Sequence, residues 1–227
     1  MTSAMLTPAD QPSWINAFDP KKRILTGRSY FLAKRIMDLT FVLASALFWL
    51  PVLVIIQIII SATSPGAPAV FTQLRTGLGG KRFRMYKFRS MVPDAEALKE
   101  KYAHLNELQW PDFKITNDPR ITKVGKILRK TSLDELPQLI NVLKGEMSLV
   151  GPRPTSFGSE TYKLWHTERL DVMPGMTGLW QIAGRAQLEF DDRLRLDIAY
   201  IERAGLWFDF VILLRTVAAV FQQRGAH

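Results

Sequence analysis

The 227-residue chain contains no cysteine. That excludes disulfides, thiolate metal sites and thiol nucleophiles, so neither stability nor chemistry depends on the redox compartment. Histidine is almost as scarce. His104, His166 and His227 lie far apart, and none belongs to an HExxH or Ser-His-Asp pattern, so imidazole chemistry is not expected. Acids are outnumbered too, 21 Asp and Glu against 30 Lys and Arg, leaving a formal charge of +9. Such an excess implies an anionic partner: nucleic acid, a phosphorylated small molecule or an anionic bilayer surface. No internal repeat interrupts the chain, and its length suits one domain with an accessory element.

Charge is also missing locally. From Leu39 to Ala62 the chain reads LTFVLASALFWLPVLVIIQIIISA, without one ionisable residue. That is the length of a bilayer-inserted helix, and it starts too far from Met1 to be a standard signal peptide. Lys21, Lys22, Arg23, Arg28, Lys34 and Arg35 precede it, and Arg75, Lys81, Arg82, Arg84, Lys87 and Arg89 follow it. With neither flank poor in cations, both ends are expected on the cytoplasmic side. Pro51, near the midpoint, removes a helical hydrogen bond and clashes with the preceding turn. A re-entrant membrane helix over 34–63, broken near Pro51, satisfies both observations. The alternatives are a tilted span with a proline kink and a buried core helix.

Three segments follow: an N-terminal arm over 1–33, the membrane segment over 34–63 and a cytoplasmic domain over 64–227. Residues 1–20 lack a period and are expected to form a poorly ordered arm or a surface strap. A second apolar stretch, 206–221, is broken by Asp209 and Arg215 and reads either as an interfacial helix or as a C-terminal core helix.

Within 69–91, Gly79 and Gly80 supply the positive φ values of a tight hairpin between two strands. GLGGKR lacks the GxxxxGK[ST] spacing of a phosphate loop. Strand alternation puts Phe83, Met85, Lys87 and Arg89 on one face, so an inward Lys87 requires an anion; a bulge would instead turn it to solvent. Residues 94–109 have helical spacing. A helix is expected from Pro137 to Lys144, stopped by Gly145, and another over 192–205.

Against this basic background, TSLDELPQL sets Asp134 and Glu135 side by side just after Lys126, Arg129 and Lys130. One reading is structural: Ser132 and Glu135 fit a capping box. Pro137 opposes that register, because a helix begun at Leu133 would carry proline where an N–H is wanted. The other reading is chemical. Carboxylates among cations should have depressed pKa values, and an ionised aspartate can attack phosphorus if basic groups and a divalent metal neutralise the phosphate oxygens. Downstream, SLVGPRP holds Arg153 between two prolines, on a stiff bracket suited to clamping a phosphate or a base edge.

YKFRSM, NDPRITKVGKILRKTSLDELPQLINVLKGEMSLVGPRP and MPGMTGLWQIAGR together resemble the bacterial sugar transferase family, the polyprenyl-phosphate hexose-1-phosphate transferases or monotopic phosphoglycosyl transferases. The resemblance runs from about residue 30 to the end. It implies a helix-rich α/β catalytic domain with a re-entrant membrane helical hairpin, at the cytoplasmic face of the bacterial inner membrane. It implies transfer of a sugar phosphate from a UDP-sugar to undecaprenyl phosphate, opening exopolysaccharide or other surface-glycan assembly, with Mg²⁺ as cofactor. By resemblance Asp134 is the covalent nucleophile and a metal ligand, and Glu135 its catalytic partner. Lys87 and Arg129 would hold phosphate, and Arg153 would face the nucleotide. Trp180, in a glycine-rich loop, is a candidate sugar contact. Larger relatives are expected to carry a multi-span module and a soluble domain ahead of this core. Some relatives place serine before the membrane proline where this chain has Leu50. Membrane lipids are expected partners, nucleic acid is not, and homo-oligomerisation stays open. The rival of another class is a membrane-tethered basic binding module without catalysis.

Overall fold

The computed structural model describes residues 11–107, 113, 115–183 and 188–221. Helices dominate: α1 (Gly27–Ala44), α2 (Ala46–Thr63), α3 (Lys123–Thr131), α4 (Gln138–Lys144), α5 (Leu179–Ala183), α6 (Phe190–Arg203) and α7 (Leu206–Phe221). Strands β1 (Val70–Thr76) and β2 (Arg82–Phe88) pair as an antiparallel hairpin, with Lys87 opposite Phe71. Its turn uses left-handed Gly79 and Gly80, as the sequence requires. β3 (Ser148–Val150) and β4 (Gly175–Thr177) form a second, parallel pair. Gly175 is needed there, because a Cβ on it would lie 2.1 Å from the Gly151 nitrogen.

The membrane segment departs from the expected layout. α2 is, among the described residues, the one helix long and apolar enough to cross a membrane by length and composition. Its helix does not break near Pro51, which stands inside α2; the interruption falls earlier, at Ser45, between α1 and α2. Serine supplies the physical reason. The Ser45 hydroxyl donates back to the Phe41 carbonyl at 2.6 Å, a bond that bends helices. The Trp49 indole then donates to the Val42 carbonyl at 2.9 Å, serving an acceptor at the bend. The polar assistance missing at Leu50 is thus provided at Ser45.

A stripe of α2 at helical spacing, Trp49, Leu53, Ile56 and Ile60, packs on the rest of the domain along most of the helix. Leu47, Phe48, Ile55 and Ile58 stay exposed. α1 is fastened by polar residues. Lys34 and Tyr30 each donate to Asp209 Oδ2 at 2.8 Å, and Tyr200 donates to Asp209 Oδ1 at 2.7 Å. Asp209 is fully buried, so the charge that interrupts the apolar 206–221 stretch is spent on holding α1 to α7. α7 has both expected characters: Phe208 and Ile212 lie in the core, while Trp207, Leu214 and Val217 are exposed.

Two further expectations meet the structure differently. Residues 13–18 strap the core, with Ile15 fully buried and Trp14 and Phe18 against Phe208. The helical spacing over 94–109 gives only successive turns and a short 3-10 segment at Ala103–Leu105 within the described part. Residues 108 and 109 lie outside the described residues.

Candidate active site

Leu133–Glu135 form a single 3-10 turn between α3 and α4. Ser132 enters it in the left-handed conformation, φ 58°, and its side chain caps nothing. The capping-box reading therefore does not hold. Leu133 and Leu136 pack into the apolar cluster that contains Ile56 and Ile60 of α2, anchoring the turn on both sides of the two acids. The helix expected after Pro137 is α4, ended by left-handed Gly145.

The adjacent carboxylates are engaged in opposite ways. Lys87 donates to Glu135 Oε1 at 2.8 Å. Arg153 approaches Glu135 as a fork, Nη1 to Oε2 at 3.1 Å and Nη2 to Oε1. An inward Lys87 has therefore found the anion it needed. Burial alone would raise the Glu135 carboxyl, but the Arg153 and Lys87 charges outweigh it and hold this group far below the usual carboxylate range. No hydrogen bond or ion pair among the described residues engages the half-buried Asp134 carboxylate.

That difference corrects the expectation of two depressed pKa values. Burial raises the Asp134 carboxyl above the ordinary value of 3.8; Lys87 opposes it, Glu135 reinforces it, and Arg129 and Arg153 oppose it more weakly. Glu135 takes the direct contacts of Lys87 and Arg153, leaving Asp134 their field without their bonds. Lys130 is exposed on α3. Arg129 donates through Nε to Ser90 Oγ at 2.9 Å and senses the Asp134 charge. α3 can sit this close only because residue 125 is glycine: a Cβ there would lie 1.9 Å from the Ser90 carbonyl oxygen.

Five of the residues singled out from the sequence thus belong to one locality: Asp134, Glu135, Lys87, Arg129 and Arg153. Arg75 was counted there only as a membrane flank. In the structure it reaches the Arg153 bracket, donating to the Pro154 carbonyl at 3.4 Å, and its buried Nε has no hydrogen-bond partner. Burial and the neighbouring Arg153 lower its pKa to about 10. Strand alternation alone gives no signal for this residue, because its partners are 78 and 79 positions away in the chain.

Among the described residues no three His, Cys, Asp or Glu side chains gather to hold a metal. The free Asp134 carboxylate can supply one hard oxygen ligand. Such a donor set fits a Mg²⁺ shared with substrate phosphates and water, and does not fit an all-protein cage.

The sequence model of the family described as bacterial sugar transferase matches residues 29–223. The chain is similar to "Galactosyl transferase CpsE" of Streptococcus agalactiae, 44% identical over 200 residues, 87% of this chain and 44% of that one. It is similar to "Undecaprenyl-phosphate galactose phosphotransferase" of Salmonella typhimurium, 49% identical over 170 residues, 73% of this chain and 36% of that one. A third relative is "UDP-glucose:undecaprenyl-phosphate glucose-1-phosphate transferase" of Caulobacter vibrioides, 38% identical over 207 residues, 86% of this chain and 72% of that one. The chain thus spans less than half the length of the first two. With most of its residues matched, the chain belongs to the bacterial sugar transferase family.

Proposed function

We propose that the chain transfers a hexose-1-phosphate from a UDP-sugar to undecaprenyl phosphate, releasing UMP, as the first membrane step of exopolysaccharide or other surface-glycan assembly. The observation that carries this reading is the unengaged Asp134 carboxylate beside a Glu135 already bound by Lys87 and Arg153. The names of the relatives from Salmonella and Caulobacter supply the substrate classes.

In the reaction an Asp134 oxygen attacks the donor's β-phosphorus. The bond between that phosphorus and the bridging oxygen breaks, and UMP departs with the electron pair. The phosphosugar is then held on Asp134 as an acyl phosphate. An oxygen of the lipid phosphate attacks the same phosphorus, the aspartyl bond breaks, and Asp134 is regenerated. Both steps exchange one phosphoanhydride-type bond for another, so positioning and charge neutralisation are the enzyme's main tasks. No glycosidic bond breaks, and the sugar-phosphate configuration is retained.

Lys87 and Arg153 neutralise the phosphate oxygens while Glu135 fixes both cations in place. Arg129, steadied by Ser90, adds positive charge near Asp134. Mg²⁺, when bound by Asp134 and the substrate phosphates, supplies further charge neutralisation. The apolar faces of α2 and α7 suit immersion at the cytoplasmic side of the inner membrane, with α1 and α2 as a re-entrant hairpin turning at Ser45. Leu133 and Leu136 share a core with α2, which would keep the nucleophile next to the lipid.

Incubation of the chain in detergent with UDP-galactose or UDP-glucose, Mg²⁺ and undecaprenyl phosphate tests the reading. It expects UMP and a lipid-linked phosphosugar; release of UDP in place of UMP would refute it.

A further inference from the structure

The match to the family begins at residue 29, and the residues just before it carry a feature of their own. Lys21, Lys22, Arg23 and Arg28 stand against one acid, Asp19, whose carboxylate accepts from the Lys21 backbone N–H at 2.9 Å. Among the described residues no ion pair or hydrogen bond engages the side chains of Lys21, Lys22 and Arg28, and all three are exposed. Between them Ile24 is 97% exposed. A single exposed isoleucine is ordinary. One held among uncompensated cations is the composition of a segment that meets the boundary between headgroups and acyl chains in an anionic leaflet.

The segment is fastened to the domain. Trp14, Phe18 and Leu25 pack against the core that holds Phe208 of α7, and the Arg215 guanidinium lies 4.1 Å from the Trp14 ring centre. Arg23 donates through Nε to the Pro20 carbonyl at 2.9 Å and through Nη1 to the Ala204 carbonyl at 3.3 Å, just ahead of α7. With Leu25 turned inward, Ile24 is held outward beside the starts of α1 and α7. Trp207, 66% exposed in the first turn of α7, stacks on Phe210, which in turn stacks on Phe41 of α1. Phe31, Leu32 and Ile36 are exposed farther along α1. Tryptophan favours the membrane–water boundary. The apolar face therefore begins at the level of Trp207, and the cations of the strap stand at its edge. A hairpin and a span agree on this, since both put the cation-rich start of α1 on the cytoplasmic side.

We infer that residues 19–28 are a docking site for anionic phospholipid, in which Lys21, Lys22 and Arg28 meet headgroup phosphates and Ile24 enters the acyl boundary. Each such cation strengthens attachment to an anionic surface roughly fivefold, and the gain is screened by salt. Because the strap is packed on α7 and leads directly into α1, attachment there fixes both helices relative to the leaflet. The inference rests on the membrane placement of α1 and is independent of the chemistry of Asp134.

The test uses full chains carrying one fluorophore each, on Ile24→Cys or on Leu32→Cys, reconstituted in an excess of nanodiscs so that each disc holds a single chain. Quenching by neutral acrylamide is compared between discs of phosphatidylcholine and discs of equal parts phosphatidylcholine and phosphatidylglycerol. The Leu32 label should be shielded in both. The Ile24 label should be quenched about threefold less in the phosphatidylglycerol discs. That difference should vanish at about 0.5 M NaCl and in a chain that also carries Lys21→Gln, Lys22→Gln and Arg28→Gln. Equal quenching of the Ile24 label in the two kinds of disc overturns the inference, and so does a difference that survives both the salt and the triple substitution. Shielding that appears in phosphatidylcholine and grows with the number of chains per disc assigns the surface to a second copy and overturns it as well. A shielded Leu32 label beside an Ile24 label quenched freely in both discs removes the docking site alone. If the Leu32 label is also quenched freely, the membrane placement of α1 fails and the docking site with it.

Discussion

Lys87 bonds Glu135 at 2.8 Å and not the adjacent Asp134. The two acids of the pair are thereby given separate work: Glu135 organises cations, and Asp134 stays free within their field.

Lys87→Met leaves Glu135 with Arg153 alone and removes a charge from the phosphate site. UMP release should fall by roughly 100-fold, the usual scale for losing one preorganised charge-stabilising group. Stability should fall by about 1–3 kcal/mol, because a partly buried carboxylate loses one of its partners. Steady-state UMP assays and denaturant unfolding check the two effects; unchanged turnover would separate Lys87 from the chemistry.

Gly125→Ala tests the support of Arg129. The added methyl would meet the Ser90 carbonyl oxygen at 1.9 Å, so α3 must move. Overpacking of this kind costs about 1–3 kcal/mol, and the Arg129–Ser90 bond is expected to break with it. At least a tenfold loss of turnover in a folded protein, judged by circular dichroism, is the anticipated outcome.

The two carboxyls should separate with pH. Attack needs ionised Asp134, whose pKa is raised above 3.8. Turnover should therefore fall, as pH drops, at a pH higher than an ordinary aspartate would give. Stability behaves differently. Glu135 has a folded pKa below its ordinary 4.5, so its contribution is complete above pH 4.5 and is lost as pH falls further towards the folded value. Asp197, raised to about 6 by burial, costs stability above pH 6 and releases that cost between 6 and 3.8. Glu135→Gln should flatten the loss of Tm below pH 4.5 and leave the Asp197 window in place.

The membrane arrangement can be read by labelling, since the chain has no cysteine of its own. Ser29 and Thr63 are exposed at the outer ends of α1 and α2. Ser29→Cys and Thr63→Cys should both react with an impermeant reagent from the cytoplasmic side of inverted inner-membrane vesicles. Labelling from opposite sides would replace the hairpin by a span.

Much of the site was legible because the sequence states it in local terms. The acid pair, the proline after it, the Lys87 face of the strand and the PRP bracket each follow from spacing alone, and an inward Lys87 needed an anion, which Glu135 supplies. What the sequence hid depends on distant contacts. Asp134 and Glu135 look equivalent in the chain, and only the approach of Lys87 and Arg153 to one of them separates their pKa values. The helix break was misplaced because proline is the louder signal. Ser45 acts through a back-bond whose effect depends on Trp49 serving the Val42 carbonyl. Arg75 and Asp197 were missed because nothing in their local sequence records the residues that surround them.

The most direct measurement is the intact mass of the chain after brief exposure to UDP-galactose without acceptor lipid. A covalent gain of one hexose phosphate, matched by stoichiometric UMP, mapped to Asp134 and absent in Asp134→Asn, is the expected result. No adduct under conditions where the lipid product still forms, or an adduct on another residue, would contradict the account.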